Sequence, residues 1–306
     1  MQQLKIIKFI VYYNIMSRDG NNSRVAVITG ASKGFGKAIA EEFAKAGYNI
    51  LMNSLNEQDL KIAAQEISNL IDNDNKIAYL AGDISDESFC ELLMDEAVKR
   101  FGSINVLINN GKITVEPRKI NENECKAEQN VEPTSDYFVL EEFEYYSPRI
   151  KGVYLCIKAA AKRMLNENKK NCSIINISSC QGCMPQSMAE SYTFSKSGID
   201  PYADSMANIE TITKTIALEL ADVGIRVNGI IPGLVDTDIN KEIREDKQKR
   251  IEKEKEIPIK RIARADEISR VALFLASEDA SYITGAMIPV DGGLMLSRPN
   301  YFIEVH

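Results

Sequence analysis

Short apolar runs rich in Val, Ile and Leu alternate along the chain with longer stretches whose apolar positions return every three or four residues. That alternation predicts parallel strands joined by crossover helices, because a strand covered by helices on both faces has no polar face to display. Seven runs read as strands: Arg24 to Thr29, Asn49 to Asn53, Ile77 to Gly82, Val106 to Asn109, Ser173 to Ile177, Arg226 to Ile231 and Met287 to Val290. The first crossover helix is expected from Lys33 to about Ala46, with Ile39, Phe43 and Ala46 on its apolar face and Gly47 as its stop. The pattern therefore predicts a doubly wound α/β fold, a seven-stranded parallel sheet with helices on both faces. A ligand is expected over the carboxyl ends of the strands.

Two stretches break the regularity. Residues 112–147 are polar, acidic and irregular, carry Pro117 and Pro133, and end just before Pro148. They read as a long loop with one short helix, either a lid or a disordered excursion. Beyond Lys196, the residues Gly198, Asp200 and Pro201 interrupt any helix, and a clear helical pattern resumes from Ile209 to Leu220. Residues 1–22 read as an appendage: Ile6 to Ile15 is apolar but is broken by Lys8 and is too short to span a bilayer, and Met16 is a second candidate start. Residues 23–306 read as one domain, with no membrane partner.

Composition narrows the chemistry. The chain has 306 residues, 44% hydrophobic and 26% charged, enough apolar material for a well-buried core. Its net charge of −7 supplies no field for holding a phosphate backbone, so nucleic acid is not an expected partner. The one histidine is His306, the last residue, which excludes an internal Ser-His-Asp or Cys-His pair and removes the commonest ligand from any metal site. No metal is expected. Six dispersed cysteines fit reduced thiols and a cytoplasmic location, and Cys180-x-x-Cys183 reads as free thiols on a loop rather than a redox pair.

What chemistry remains lies in two groups of residues. The turn Thr29-Gly30-Ala31-Ser32-Lys33-Gly34-Phe35-Gly36 follows a strand and opens a helix, where Gly30, Gly34 and Gly36 allow backbone to approach a pyrophosphate and a helix N-terminus to face its charge. Far downstream, Tyr192 and Lys196 are four residues apart, thirteen and more beyond Ser179. That spacing puts phenol and ammonium on one helical face. A cation roughly 4 Å from a phenol, at an effective dielectric of about 20, contributes about 4 kcal/mol, or about 3 pH units toward neutrality. Tyr192 is thereby a candidate proton donor and acceptor, with Ser179 holding a substrate oxygen beside it. Thr237 also reads as a cap for a helix starting near Asp238.

In combination these segments resemble the short-chain dehydrogenase/reductase family from about Arg24 to Gly293. The glycine turn, with Gly30, Ser32, Lys33, Gly34, Phe35 and Gly36, resembles the family's cofactor turn; Asp83, with Ile84 beside it, resembles its adenine-side acid; Asn109-Asn110-Gly111-Lys112 resembles its Asn-Asn-Ala-Gly strand end. Ser179, Tyr192 and Lys196 match its catalytic serine, tyrosine and lysine, and Pro232-Gly233-Leu234-Val235-Asp236-Thr237 resembles its nicotinamide loop. The resemblance implies a Rossmann-type fold and an NAD(P)(H)-dependent oxidoreductase that interconverts a carbonyl and a secondary alcohol on a small-molecule substrate. It also implies that Lys196 binds the nicotinamide ribose, that Val235 and Thr237 grip the carboxamide, and that the chain forms a homodimer or homotetramer. The texture is similar to 3-oxoacyl-carrier-protein reductases and sugar (glucose) 1-dehydrogenases. NADP(H) is favoured over NAD(H), because Asn53-Ser54-Leu55-Asn56 lacks the acid that commonly binds a ribose 2′-hydroxyl and Lys33 adds a cation. The chain departs from the family pattern at Arg149, where an asparagine is usual, and in longer segments at 112–147 and 198–208. These departures keep open a second reading, a catalytically weak NADP(H)-binding regulatory or scaffolding protein.

Overall fold

The computed structural model describes residues 24–71, 76–111, 148–166, 171–180, 201–237 and 240–297. Seven strands form one parallel sheet: β1 (Val25–Ile28), β2 (Asn49–Ser54), β3 (Ile77–Ala81), β4 (Val106–Asn109), β5 (Cys172–Ile177), β6 (Ile225–Pro232) and β9 (Met287–Val290). Their order is β3-β2-β1-β4-β5-β6-β9, so the direction of winding reverses between β1 and β4. A separate parallel pair joins β7 (Val235–Asp236) to β8 (Ala263–Arg264). The expected doubly wound seven-stranded parallel sheet is what forms, with strand limits within two residues of those read from the apolar runs.

Alternation along each strand feeds two cores. Ala26 and Ile28 of β1 pack with Ile39 and Phe43 of α1 (Gly34–Lys45), Leu60 and Ile67 of α2 (Glu57–Leu70), and Leu275 of α8 (Ala265–Ala276). Val27, on the other face, packs with Leu93 and Met94 of α3 (Glu87–Phe101), Leu155 of α4 (Pro148–Asn166) and Ile216 of α5 (Pro201–Leu220). Each fully buried side chain of this size contributes about 1.5–3 kcal/mol, so both layers are anchored by the same strand that leads into the glycine turn. Two shorter helices, α6 (Lys241–Glu245) and α7 (Lys247–Glu256), follow β7. Among the described residues, no helix is long and apolar enough to cross a membrane.

The structure corrects the helix expected from Ile209. Helix α5 starts eight residues earlier, at Pro201. Proline breaks a helix interior but suits its first turn, where the missing N–H would have no partner and the fixed φ is already helical. Pro201, read as part of an interruption, therefore opens the helix. Residues 112–147, 198–200 and 1–22 lie outside the described residues.

At the amino edge of the sheet, two arginines close the end of α8. Arg24 donates to the Ala276 carbonyl at 3.0 Å and to the Asn171 carbonyl at 2.7 Å, and Arg226 donates to Leu275 and Ser277 carbonyls at 2.8 and 3.1 Å. Ser173 adds a hydroxyl to the Leu275 carbonyl at 3.1 Å. The Leu275, Ala276 and Ser277 carbonyls stand at the end of α8, otherwise orphaned and at the negative end of its dipole.

Candidate functional site

Because all seven strands run parallel, the segments that follow them gather on one edge. After β1, the chain turns through Gly30 and Gly34, both with positive φ (63° and 59°), into α1. The Asn110 amide braces this turn, donating to the Thr29 and Gly30 carbonyls at 3.2 and 3.1 Å, while Thr29 Oγ1 accepts from the Asn110 and Gly111 N–H groups at 3.1 and 2.9 Å. Asn110 was not singled out by the sequence reading; its place within the Asn-Asn doublet was the available signal. The structure divides the glycines by task. A Cβ on Gly36 would stand 2.2 Å from the Gly30 carbonyl oxygen and 2.5 Å from the Asn110 amide nitrogen, so Gly36 serves the packing of helix against turn, a task beside the ligand approach that its sequence context suggested. Gly34 has open space where its Cβ would be.

The N-terminus of α1 differs from its neighbours on the same edge. Asn56 accepts from Asp59 N–H to cap α2, Asp86 accepts from Ser88 N–H to cap α3, and the Glu267 carboxylate accepts from Arg264 N–H at α8. Lys33, at the cap position of α1, makes no side-chain hydrogen bond there. A twelve-residue helix thus presents its first N–H groups and the positive end of its dipole to the edge without a capping side chain.

On the β2 and β3 side of β1, Ser32 and Ser54 hydroxyls lie 3.0 Å apart, and Asn53 spends its amide on Leu80 and Gly82 carbonyls, both at 3.1 Å. Asp83 is exposed, with one oxygen accepting from Ser85 N–H at 2.9 Å, and Ile84 is buried facing Gly111. A cleft of about 320 Å³ beside the turn is lined by Ser32, Lys33, Gly34, Lys37, Asp59 and Glu66. Lys37 pairs with Glu66, while Lys33 makes no ion pair among the described residues.

The β5 and β6 side carries Ser179, two residues past β5 and half-buried, and the segment after β6. Gly233 runs so close to Asp291 that a Cβ would sit 2.7 Å from its Cα, and its N–H donates to Val290 carbonyl at 3.1 Å. Val235 is fully buried and pairs with Ala263 in the short β7–β8 ladder. Thr237 is buried, and its Oγ1 has no hydrogen-bond partner among the described residues. Its hydroxyl thus makes no cap bond among the described residues; the helix start expected near Asp238 lies outside them, and the Thr237 backbone carbonyl accepts from Asn240 N–H at 2.9 Å. Tyr192, Lys196, Cys183 and the Arg149 side chain lie outside the described residues.

The edge therefore offers an uncapped helix N-terminus beside an open glycine face, paired serine hydroxyls near a lysine, and a buried hydroxyl without a partner. These groups fit an elongated anionic dinucleotide: amides for a pyrophosphate, hydroxyls and a cation for a ribose and its phosphate, and a lone hydroxyl for an amide-bearing ring. Elsewhere, Cys90 and Cys156, 66 positions apart in sequence, bring their sulfurs within 3.6 Å of each other inside the α3–α4 contact. The neighbouring Cys90 thiol and burial push the Cys156 thiol well above its ordinary value, marking it as an inert core group.

The profile of the family described as Enoyl-(Acyl carrier protein) reductase matches residues 30–295. Glucose 1-dehydrogenase 2 of Bacillus subtilis is 33% identical over 276 residues, 89% of this chain and 95% of its own length. The 3-oxoacyl-[acyl-carrier-protein] reductase of Thermotoga maritima is 30% identical, over 89% of this chain and 98% of its own. Among solved structures, a short-chain type dehydrogenase/reductase from Mycobacterium marinum superposes with a TM-score of 0.71 at 26% identity, covering 92% of this chain and 98% of that one. The parallel sheet, its glycine turn and these likenesses over nearly the whole length lead to one conclusion: this chain belongs to the short-chain dehydrogenase/reductase family of oxidoreductases.

Proposed function

We propose that the chain is an NADP(H)-preferring oxidoreductase that interconverts a carbonyl and a secondary alcohol on a small molecule, either at C1 of a sugar or on a 3-oxoacyl thioester. The observation that carries this reading is the uncapped N-terminus of α1 on the same sheet edge as the partnerless buried hydroxyl of Thr237. The first N–H groups of α1, opened by Gly34, take the pyrophosphate. Ser54, Ser32 and Lys33 take the 2′-phosphate end, since residues 53–56 carry no acid to hold a 2′-hydroxyl. Asp83, Ile84 and Gly111 border the adenine and central parts of the groove, and Asn109, Pro232, Gly233, Val235 and Thr237 its nicotinamide half. Bound NADP(H) supplies the hydride acceptor or donor.

The chain's own residues handle the proton. Ser179 orients the substrate oxygen, Tyr192 gives a proton to that oxygen in reduction and takes it back in oxidation, and the Lys196 charge stabilises the tyrosinate. The test is turnover followed by reduced-nicotinamide absorbance, with aldoses for oxidation and 3-oxoacyl thioesters for reduction, under both nicotinamide cofactors. The expected result is turnover of one substrate class with NADP(H) ahead of NAD(H), lowered by about 10²–10⁴-fold in Tyr192→Phe. Tight NADPH binding without turnover of any substrate would instead favour a nucleotide-binding module of the same fold, the reading that Arg149 motivates. A preference for NAD(H) would retire the argument from Lys33.

A further inference from the structure

Two buried side-chain polar atoms among the described residues lack a hydrogen-bond partner, Thr237 Oγ1 and Asn109 Oδ1. Both lie on the carboxyl edge of the sheet, and Asn109 is the end of a buried polar chain that runs through three elements, β4, β5 and α5. Thr213 of α5 donates its one hydroxyl proton to the Ile209 carbonyl at 2.7 Å. A carbonyl can only accept, so the Thr213 oxygen is left to accept, which it does from Asn176 Nδ2 at 2.9 Å. Asn176 Oδ1 then faces Asn109 and accepts from its Nδ2 at 2.9 Å. The direction of every bond follows from that first carbonyl, and the chain terminates in an amide compelled to present its oxygen. Asn109, Asn176 and Thr213 are 2%, 0% and 0% exposed, so water does not compete for any of these bonds. The three residues are 67 and 37 positions apart in sequence, and no local helix or strand requirement calls for this arrangement.

We propose that Thr213 and Asn176 are positioning residues that lock the Asn109 amide oxygen toward the crevice at the end of β4, where it accepts from a ribose hydroxyl on the nicotinamide half of the dinucleotide. The proposal rests on the dinucleotide reading of the site. Its assignment to the nicotinamide half follows from the sheet order: β4 and β5 lie on the opposite side of β1 from β2 and β3, which carry Ser54 and precede Asp83. A hydroxyl donor entering there meets an acceptor already fixed in orientation. An amide free to rotate would face it with its NH₂ part of the time, and part of the binding free energy would go into reorienting it.

The test compares two ligands on the full chain: NADPH, and adenosine 2′,5′-bisphosphate, which carries the adenine half and has no second ribose. Thr213→Val keeps the shape and removes the hydroxyl, releasing the chain at its origin. NADPH affinity is expected to fall about tenfold in Thr213→Val, the affinity for adenosine 2′,5′-bisphosphate to stay within about twofold, and Thr213→Ser to restore NADPH binding. Should Thr213→Val fail to fold, Thr213→Ala is measured in the same way. Equal weakening of both ligands, or unchanged NADPH affinity with only a lower melting temperature, would overturn the proposal and leave the chain as scaffolding. If the wild type binds no dinucleotide at all, the reading of the site falls and takes this inference with it, a result that the wild-type measurement alone reveals.

Discussion

The two edges of the sheet are built from similar polar residues put to opposite uses. At the amino edge, polar side chains find partners: Asn105 Oδ1 accepts from Val25 N–H at 2.8 Å and from the Ser103 hydroxyl at 3.3 Å, while Arg24, Arg226 and Ser173 close the carbonyls of α8. Among the described residues, Arg226 has no carboxylate in contact. Burial first, and then the charge of Arg24, pull its guanidinium below the ordinary range, and the helix carbonyls are what compensate it. At the carboxyl edge, α1 is uncapped and two buried polar atoms have no partner among the described residues. An unmade buried hydrogen bond costs about 1–3 kcal/mol, so a fold that completes its bonding at one edge and leaves it incomplete at the other has put its stability at the first and its binding capacity at the second.

The largest effect that tests this contrast belongs to the amino edge. Arg226→Ala removes the donor to two helix carbonyls and leaves them buried, which costs about 3 kcal/mol, read as a lower urea midpoint. NADPH affinity of the folded protein is expected to be unchanged. A variant of normal stability with weakened NADPH binding would erase the division between the edges.

Thr237→Val is expected to act in the opposite sense. It removes a buried hydroxyl that has no partner, so stability should hold or rise by up to about 1 kcal/mol, while NADPH affinity falls by roughly tenfold. Loss of stability would show that Thr237 is bonded in the free protein and that the carboxyl edge is no less complete than the other.

The same contrast explains how much the sequence revealed. The strands were legible because each is a short apolar run covered on both faces, a property of the run itself. The glycine turn was legible too, but not which side of each glycine is crowded: the spacing of Gly34 and Gly36 says nothing of Gly30's carbonyl filling the space beside Gly36. Pro201 read as a breaker because proline's effect depends on whether it stands in the first turn or the interior, which composition does not specify. Thr237 read as a cap because a threonine before a helix commonly caps, whereas its hydroxyl bonds to no described residue, a matter of burial that the local sequence does not carry. The chain from Asn109 to Thr213, the Cys90–Cys156 contact and the arginines on α8 join residues remote in sequence. Nothing local in the pattern signals them, since each depends on which strands the crossovers make adjacent.

The smallest effect concerns two helix N-termini on one edge, α8 and α1. At α8, the Glu267 carboxylate is held at about 2, chiefly by the Arg261 guanidinium, which donates to it at 2.6 and 2.7 Å, and then by the Arg264 N–H. A carboxylate with a depressed folded value stabilises the fold above its unfolded value of 4.5, and that contribution drains away as pH falls from there through about 2. The pair is partly exposed and screened by solvent, so Glu267→Gln is expected to cost only about 0.5–1 kcal/mol at neutral pH, less at high salt. Below the folded value, wild type and variant should converge, and NADPH affinity should be the same in both throughout. The α1 terminus has no such carboxylate, so its charge is free for a ligand. Were Glu267→Gln to weaken NADPH binding as Thr237→Val is expected to, the α8 terminus would belong to the binding groove and the distinction between a filled and an open helix end would fail.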